Sequence, residues 1–188
     1  LKQYDLALNQ FTASLAIEEV LGNKLGLAIN HQNIGIVQEA KGQLDEALAS
    51  YEKSLDYNNQ IDSEIGRVIC NNSIGHIYIQ QEKYEEASTV LKDVLEKALE
   101  LNDQFHIAPI YINLGLLQMK LNQFESADYN LKRGLKIAND FNLVSPKIAA
   151  YEHLSQLYAL KGNYKKSKAY YKTHVDLNQT LINERNLQ

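Results

Sequence analysis

The sequence predicts an all-α protein, a solenoid of antiparallel helix pairs with about nine helices. Three observations predict it: an internal repeat of forty residues, apolar positions at helical spacing within each repeat, and few turn residues. The 188 residues include nine glycines, two prolines and no tryptophan, whereas a β-sandwich needs frequent turn residues. With 45% hydrophobic residues, a chain of this length can bury a core.

The repeat is anchored on a small residue that recurs every forty positions, at Gly35, Gly75, Gly115 and Ser155. Four further columns keep their character without insertion or deletion. Counted from the anchor, they lie nine, twelve, sixteen and twenty residues later: Leu44, Tyr84, Phe124 and Tyr164; Ala47, Ala87, Ala127 and Ser167; Tyr51, Leu91, Leu131 and Tyr171; Leu55, Leu95, Leu135 and Val175. Such agreement across four repeats predicts a repeat architecture.

The N-terminus fits the same register one step earlier, through Tyr4, Ala7, Phe11 and Leu15. Because the chain begins in the second half of a repeat, and with Leu1 instead of methionine, we expect it to be a piece of a larger protein. The predicted organisation is a single array: a truncated half-repeat at 1–22, repeats at 23–62, 63–102 and 103–142, and a fourth repeat with an extended C-terminal helix at 143–188.

Each repeat is predicted to hold two helices, because its apolar residues recur at i, i+3 and i+4 and short polar segments such as Lys41-Gly42-Gln43 separate the two runs. Ser145-Pro146 predicts a helix start, with Ser145 as N-cap and Pro146 in the first helical position. Pro109 is expected to kink the sixth helix or delay its start. The predicted helices are 4–21, 24–41, 44–60, 62–81, 84–101, 104–121, 124–140, 145–161 and 164–185.

These columns resemble the tetratricopeptide repeat, a helix pair with a small residue, an alanine twelve positions later and aromatic residues around it. The segments Asn113-Leu114-Gly115 with Phe124-Glu125-Ser126-Ala127, and Ser73-Ile74-Gly75 with Tyr84-Glu85-Glu86-Ala87, carry the resemblance, which covers essentially the whole chain. The forty-residue length exceeds the usual 34 and is similar to the long repeats of bacterial sensor histidine kinases, transcription regulators and peptide-pheromone receptors. The sequence departs from the family where tryptophan and a closing proline are usual: His31, Asn71, Tyr111 and Tyr151; Asn59, Leu99 and Asn139.

The resemblance implies a right-handed superhelix whose first helices line a concave groove. An asparagine before the Leu-Gly position, as at Asn33 and Asn113, is then expected to hold the backbone of a bound peptide, since an amide offers both donor and acceptor. The alternative is that these asparagines bond only a neighbouring helix. No cation stands in the columns of the basic clamp for C-terminal carboxylates, which disfavours a chaperone-tail adaptor. The groove residues implied are Gln32, Asn33, Ile36, Glu39, Asn72, His76, Ile79, Ile112, Asn113, Leu116, Met119, Glu152 and Gln156.

Composition and motifs weigh against other functions. A net charge of −4 and a pI near 5.7 give no footprint for nucleic acid, and no apolar stretch is long enough for direct membrane insertion. The five histidines lack metal-ligand spacing, and no nucleophile or phosphate-loop motif occurs, so we expect no enzyme activity, cofactor or metal. Cys70 lies in an apolar run and is predicted to be a buried thiol.

The sequence therefore predicts a non-enzymatic scaffold that binds a protein or peptide segment through its concave groove. The alternative is a regulatory or dimerising sensory domain of a larger bacterial signal-transduction protein, a histidine kinase or a transcription regulator. Val175, Leu181 and Ile182 lack a predicted cover, which suits a last helix that continues in the larger protein. A homodimer through the exposed terminal helices, the first half-repeat or the C-terminal helix, is considered as well. A cytoplasmic location is expected, or a periplasmic one if the chain belongs to a membrane sensor.

Finally, we expect each anchor glycine and the alanine twelve positions later to let the two helices of a pair approach closely. The pairs are Gly35 with Ala47, Gly75 with Ala87 and Gly115 with Ala127. Ser155 and Ser167 fill both places in the fourth repeat, so this pair is expected to be slightly wider.

Overall fold

The computed structural model describes residues 2–186, and their side chains from 3 to 184; the outer limits 1 and 188 of the predicted array lie outside this range. Within it the chain forms nine helices and no strand, and each helix begins and ends within about two residues of its predicted bounds. The helices are α1 (Lys2–Leu21), α2 (Lys24–Ala40), α3 (Leu44–Gln60), α4 (Glu64–Gln80), α5 (Tyr84–Glu100), α6 (Gln104–Lys120), α7 (Phe124–Asp140), α8 (Val144–Leu160) and α9 (Tyr164–Asn186).

The chain divides into two compact units between Val94 and Leu95, within α5. In the first unit α2 packs on α1 and on α3, and α3 packs on α4; in the second, α6 packs on α7, α7 on α8 and α8 on α9. Helices α2 and α3 are antiparallel, as Ser54 near the end of α3 bonds Ala28 near the start of α2 at 2.7 Å. Ser50 correspondingly bonds Gln38 at 2.6 Å.

All eight turns between helices have the same geometry. Each of the helices α1 to α8 is followed within two residues by one with positive φ. The residue after it donates its backbone N–H to the carbonyl five positions back, as Gln43 does to Gln38 at 2.9 Å. This is the Schellman arrangement, which satisfies carbonyls left over at a helix end. The positive-φ residues are spaced by twenty: Gly22, Gly42, Asp62, Glu82, Asn102, Asn122, Asn142 and Gly162.

The predicted N-cap of α8, Ser145, is wrong, although the helix begins within one residue of its predicted start. Asn142 has a φ of 52°, so the turn ends where the other turns end, and Leu143 is the N-cap of a helix that begins at Val144. Ser145 and Pro146 are therefore the second and third helical residues. Proline is tolerated there because the first four N–H groups of a helix have no partner within it.

Of the two effects expected of Pro109, a kink or a delayed start, the delay does not occur, since α6 begins at Gln104 with Pro109 inside it. Proline cannot donate to the carbonyl four residues earlier, which belongs to Phe105. Phe105 itself is 61% exposed, whereas Ile107 and Ala108 of the same turn are buried.

The anchor glycines make room for a large side chain of the partner helix. A Cβ added to Gly35, Gly75 or Gly115 would lie 2.5 to 2.6 Å from the side chain sixteen positions later. The prediction that the alanine twelve positions later is the residue nearest to each anchor glycine is therefore wrong. These alanines are nevertheless fully buried. In the fourth repeat the hydroxyls of Ser155 and Ser167 lie 3.4 Å apart. The accommodated side chains are Tyr51, Leu91 and Leu131.

Candidate functional site

Helices α2 and α4 of the first unit form a common surface on which polar side chains lie beside exposed apolar ones. Two contacts join the helices: Gln32 Nε2 donates to Ser73 Oγ at 2.9 Å, and His76 Nδ1 lies 2.6 Å from Glu39 Oε1. About half of each isoleucine at three positions is exposed beside them. We call this the α2–α4 surface; its isoleucines are Ile29, Ile36 and Ile65.

Glu39 is the centre of a hydrogen-bonded cluster on this surface. Its Oε1 accepts from His76 Nδ1 and from Gln80 Nε2, each at 2.6 Å, and its Oε2 accepts from the hydroxyl of Tyr51 at 2.7 Å. Burial on its own would raise the pKa of Glu39, but the bonds from His76, Tyr51 and Gln80 outweigh it and lower that pKa. The carboxylate is therefore held ionised and fully bonded, which suits a positioning role better than proton transfer.

The cluster exists because two columns coincide in the first repeat. Gly35 leaves room for the Tyr51 ring, and the ring carries a hydroxyl to Glu39. Burial, with Glu39 beside it, raises the pKa of Tyr51 strongly, so the hydroxyl remains a donor. The next two repeats have apolar residues in both columns, and therefore no such cluster: Leu91 with Ile79, and Leu131 with Met119.

Asn33 lies one residue from Gln32 and makes no hydrogen bond to any residue that the structure describes. The Oε1 atom of Gln32 is likewise buried with no partner among the described residues. By contrast, Asn72, Asn113 and His153 each engage another group of the protein. Of the predicted amides before the Leu-Gly position, Asn33 is thus the one with its donors and acceptor unused.

Four predicted groove residues have little surface to offer a ligand. Ile79 is buried in α4, while α6 buries three more because its apolar residues face both α7 and α8. Ile112 and Met119 belong to one core cluster with Leu131 and Leu154. Low exposure therefore limits the contact that these four side chains can make with a ligand. The buried α6 residues are Ile112, Leu116 and Met119.

In the second unit the remaining predicted residues lie on α6 and α8. Met119, despite its burial, borders a shallow cavity of about 410 Å³ together with exposed Gln156. Glu152 is partly buried. This α6–α8 surface brings Met119 and Gln156 together, and it lacks a counterpart of the Glu39 cluster within the residues described.

Three residues of the first-unit surface were missed by the sequence reasoning as site residues: Tyr51, Ser73 as a partner of Gln32, and Gln80. Tyr51 is a core column, and its hydroxyl gains meaning only because Glu39 stands twelve residues before it. Two residues twelve apart across a short turn face each other in an antiparallel helix pair. That spacing is the signal that could have found the Tyr51–Glu39 bond.

The described residues were also compared with the requirements of a metal site, a membrane-spanning helix and a reactive thiol. In the described part of the chain no group of three or more His, Cys, Asp or Glu could hold a metal ion. No helix in that part is long and apolar enough to cross a membrane. Cys70 is buried as predicted, and burial raises the pKa of its thiol, which disfavours the nucleophilic thiolate.

Helix pairs joined by identical turns, with one amide-rich surface, define a helical repeat protein of the scaffold class. Tetratricopeptide repeat models match residues 1–60 and, separately, residues 70–105, 108–141 and 148–180. The chain belongs to the tetratricopeptide repeat family, as the resemblance implied.

Two curated proteins and a solved structure are similar to the chain. The chain is 28% identical over 97 residues to "Protein STIP1 homolog" of Dictyostelium discoideum, covering 51% of this chain and 16% of that protein. It is 29% identical over 105 residues to "Regulatory protein RapD" of Bacillus subtilis (strain 168), covering 54% of this chain and 29% of that protein. A solved structure, the Rap conjugation gene regulator of plasmid pLS20 in complex with the Phr* peptide, superposes with a TM-score of 0.85 at 17% identity, covering 96% of this chain and 50% of that one.

The match to the solved structure, at that identity, concerns the fold. The chain spans less than a third of the length of these two curated relatives and half of the solved chain.

Proposed function

We propose that this chain is a non-enzymatic binding module that holds an extended segment of a peptide or protein on its α2–α4 surface. The observation that carries the proposal is the free amide of Asn33 beside half-exposed Ile29 and Ile36. An amide can donate to and accept from a peptide group, and exposed isoleucines supply apolar contact. The Glu39 cluster fixes the two helices that present these groups.

Two similarities support the proposal. The solved structure with the Phr* peptide has the same fold, and a regulatory protein of Bacillus subtilis shares the sequence pattern over half of this chain. A cytoplasmic location is part of the proposal. Asn113, Glu152 and Gln156 are proposed as secondary contacts on the α6–α8 surface.

Selection of peptides from a displayed random library tests the proposal. The chain is immobilised, enriched peptides are synthesised, and their Kd values are measured by calorimetry for the wild type and for Asn33→Ala. We expect a loss of about tenfold in affinity, because one hydrogen-bonding group of the site is removed, about 1.4 kcal/mol.

The matched control for that selection is Asn59→Ala, an exposed asparagine on α3, which should leave Kd unchanged. Failure to enrich any peptide would contradict the proposal. Equal affinity for the wild type and the Asn33 variant would do so as well, since it would place the peptide elsewhere.

A second candidate function is a regulatory domain of a larger bacterial signalling protein, which the similarity to a regulatory protein favours. In that case peptide binding would change the association state of the module. Light scattering of the chain with and without a selected peptide tests this, and an unchanged mass favours the plain binding module.

A further inference from the structure

A cavity of about 280 Å³ opens on the α2–α4 surface at the N-terminal ends of both helices. Leu25, Ile29 and Ile65 stand at its exposed rim, each about half exposed. Gln32 and Asn33 line one side. The volume equals that of about nine water molecules in the liquid, which is enough for one large side chain and part of its backbone.

The floor of the cavity is polar, in contrast to the same columns of the two following repeats. Ser54 Oγ donates to the carbonyl of Ala28 at 2.7 Å, the Cys70 thiol lies 3.2 Å from Ser54 Oγ, and Asn58 Nδ2 donates to the carbonyl of Ser54 at 2.9 Å. All three side chains are at least nine-tenths buried. At the same columns, forty and eighty residues later, the chain has apolar residues or glycine: Val94 and Gly134, Ala98 and Ala138, Ile110 and Ala150.

Gly66 keeps this space open. A Cβ at Gly66 would lie 1.9 Å from Asn58 Oδ1, so Asn58 fits only because the position is glycine. The following repeats have bulky residues in the glycine column and alanine in the Asn58 column: His106 with Ala98, and Pro146 with Ala138. Here a polar floor and a cavity stand where the two following repeats have apolar residues in the core. Local departures from apolar core packing concentrate at functional sites.

The wall indicates the chemistry of the occupant. None of the twelve lining residues carries a charge, so a charged side chain would be buried without a partner, at high cost. The floor groups bond mainly to one another, which leaves apolar surface above them. The buried Oε1 of Gln32 lacks a donor among the described residues, and the free amide of Asn33 lies next to it in the sequence. The last torsion of a glutamine is soft, so Gln32 can turn this oxygen toward an entering N–H.

We infer that this cavity is a specificity pocket for one large uncharged side chain of a bound peptide, such as leucine, isoleucine or phenylalanine. Gln32 Oε1 accepts the backbone N–H of that residue, and Asn33 pairs with the adjoining peptide group. The inference rests on the proposed function and adds to it the class of anchor residue. Displacement of poorly held water by an apolar group supplies the affinity.

The test uses capped amino acids as probes and nuclear magnetic resonance of the ¹⁵N-labelled chain. N-acetyl-leucine N-methylamide carries the side chain and both peptide groups; the alanine and lysine analogues carry the same backbone. We expect saturable shifts of the amides of Ala28, Gly66 and Cys70 with the leucine probe, and binding about tenfold weaker with the alanine probe because its side chain buries less apolar area. The lysine probe should give no saturable shift.

Two matched variants locate the effect. Ile29→Asp places a charge at the rim and should abolish the shifts, whereas Ile17→Asp, an exposed isoleucine of α1 that lies outside the lining and outside the α2–α4 surface, should leave them intact. Equal shifts with all three probes, or shifts that persist in Ile29→Asp, would overturn the inference. A library peptide that needs Asn33 yet leaves the Ala28 and Gly66 resonances unmoved would overturn the pocket and keep the proposed function. Binding of the leucine probe without any peptide binding would contradict the proposed function and leave the pocket in place.

Discussion

Gly115 illustrates how a glycine inside a helix acts through the side chain that it admits. A Cβ added to Gly115 would lie 2.6 Å from Leu131 Cγ and 3.2 Å from the backbone nitrogen of Leu131. Glycine costs helix stability, and here the cost is offset by a fully buried leucine. The same arrangement admits the Tyr51 ring at Gly35 and thereby brings its hydroxyl to Glu39.

Gly115→Ala should lower the free energy of unfolding by about 1–2 kcal/mol. Overpacking costs about 1–3 kcal/mol, and the better helix propensity of alanine returns up to about 1 kcal/mol. Urea denaturation measures the difference. In a double-mutant cycle, Gly115→Ala should cost less in a Leu131→Ala background, because the clashing atoms are gone. An additive cycle would show that the two residues are not in contact.

Glu39 should make the free energy of unfolding depend on pH in the acidic range. Its folded pKa is lowered, so it stabilises the fold above its unfolded pKa, near 4.3, and this contribution is lost as pH falls through the lower folded pKa. Thermal unfolding from pH 7 to pH 3 should therefore show a smaller loss of Tm in Glu39→Gln than in the wild type. At pH 7 the Glu39→Gln variant should be the less stable protein.

The control for this acid dependence is Glu52→Gln, an exposed glutamate on α3, which should follow the wild-type pH profile. If Glu39→Gln and the wild type lost stability in parallel, the cluster would not hold its carboxylate ionised.

The helices owe their bounds to the turns. Five of the eight positive-φ residues are not glycine, and Glu82, with a φ of 61°, is the least suited of them, because asparagine and aspartate tolerate this region better. The eight residues stand twenty apart, so the three repeats from α2 to α7 each consist of two helices of 17 residues joined by the same kind of turn. This regularity overrides local signals such as the Ser145-Pro146 pair.

Glu82→Gly should raise the free energy of unfolding by about 0.5–1 kcal/mol. Left-handed backbone costs a non-glycine residue about 1–2 kcal/mol, part of which is offset by the greater freedom of glycine in the unfolded chain. Chemical denaturation measures the gain. The converse change, Gly42→Ala, should destabilise by about 1 kcal/mol; nothing lies within 4 Å of its Cβ, so only the backbone is tested. No gain from Glu82→Gly would mean that the side chain contributes a contact of its own.

Position within the array decides what a repeated residue does. Tyr51 and Tyr171 occupy the same column, yet Tyr51 is 1% exposed and Tyr171 is 58% exposed. Within the first unit, Ile74 and Ile77 of α4 cover Tyr51, whereas no described helix follows α9. The outer face of α9 consequently shows Tyr171 and Val175 to solvent.

Tyr51→Ala should cost about 3–5 kcal/mol of unfolding free energy, as large-to-small changes of buried aromatics do. Tyr171→Ala should cost less than about 1 kcal/mol, because surface changes are usually small. Thermal or urea unfolding of both variants at several protein concentrations gives the comparison. An equal cost, with dependence on concentration, would show that a second copy covers α9 in solution.

How far the sequence could predict this protein depends on the range of the interactions. Asn33 was identified as a candidate from its column, but only the folded structure shows that its amide is unused while Asn72 and Asn113 have partners. Glu39 and His76 were named separately; their contact spans 37 positions. Ile79, Ile112, Leu116 and Met119 share columns with groove residues, yet the structure buries them.

The sequence by itself determined the nine helices of the described chain, the repeat register and the family, because helical periodicity and turn spacing are local properties that recur in every repeat. The tertiary structure alone decided which members of a column are covered, which amides remain free, and that Ser54, Asn58 and Cys70 form the floor of a cavity. The physical reason is that burial and hydrogen-bond partners are set by the adjacent helix, whose residues differ from repeat to repeat even where the pattern does not.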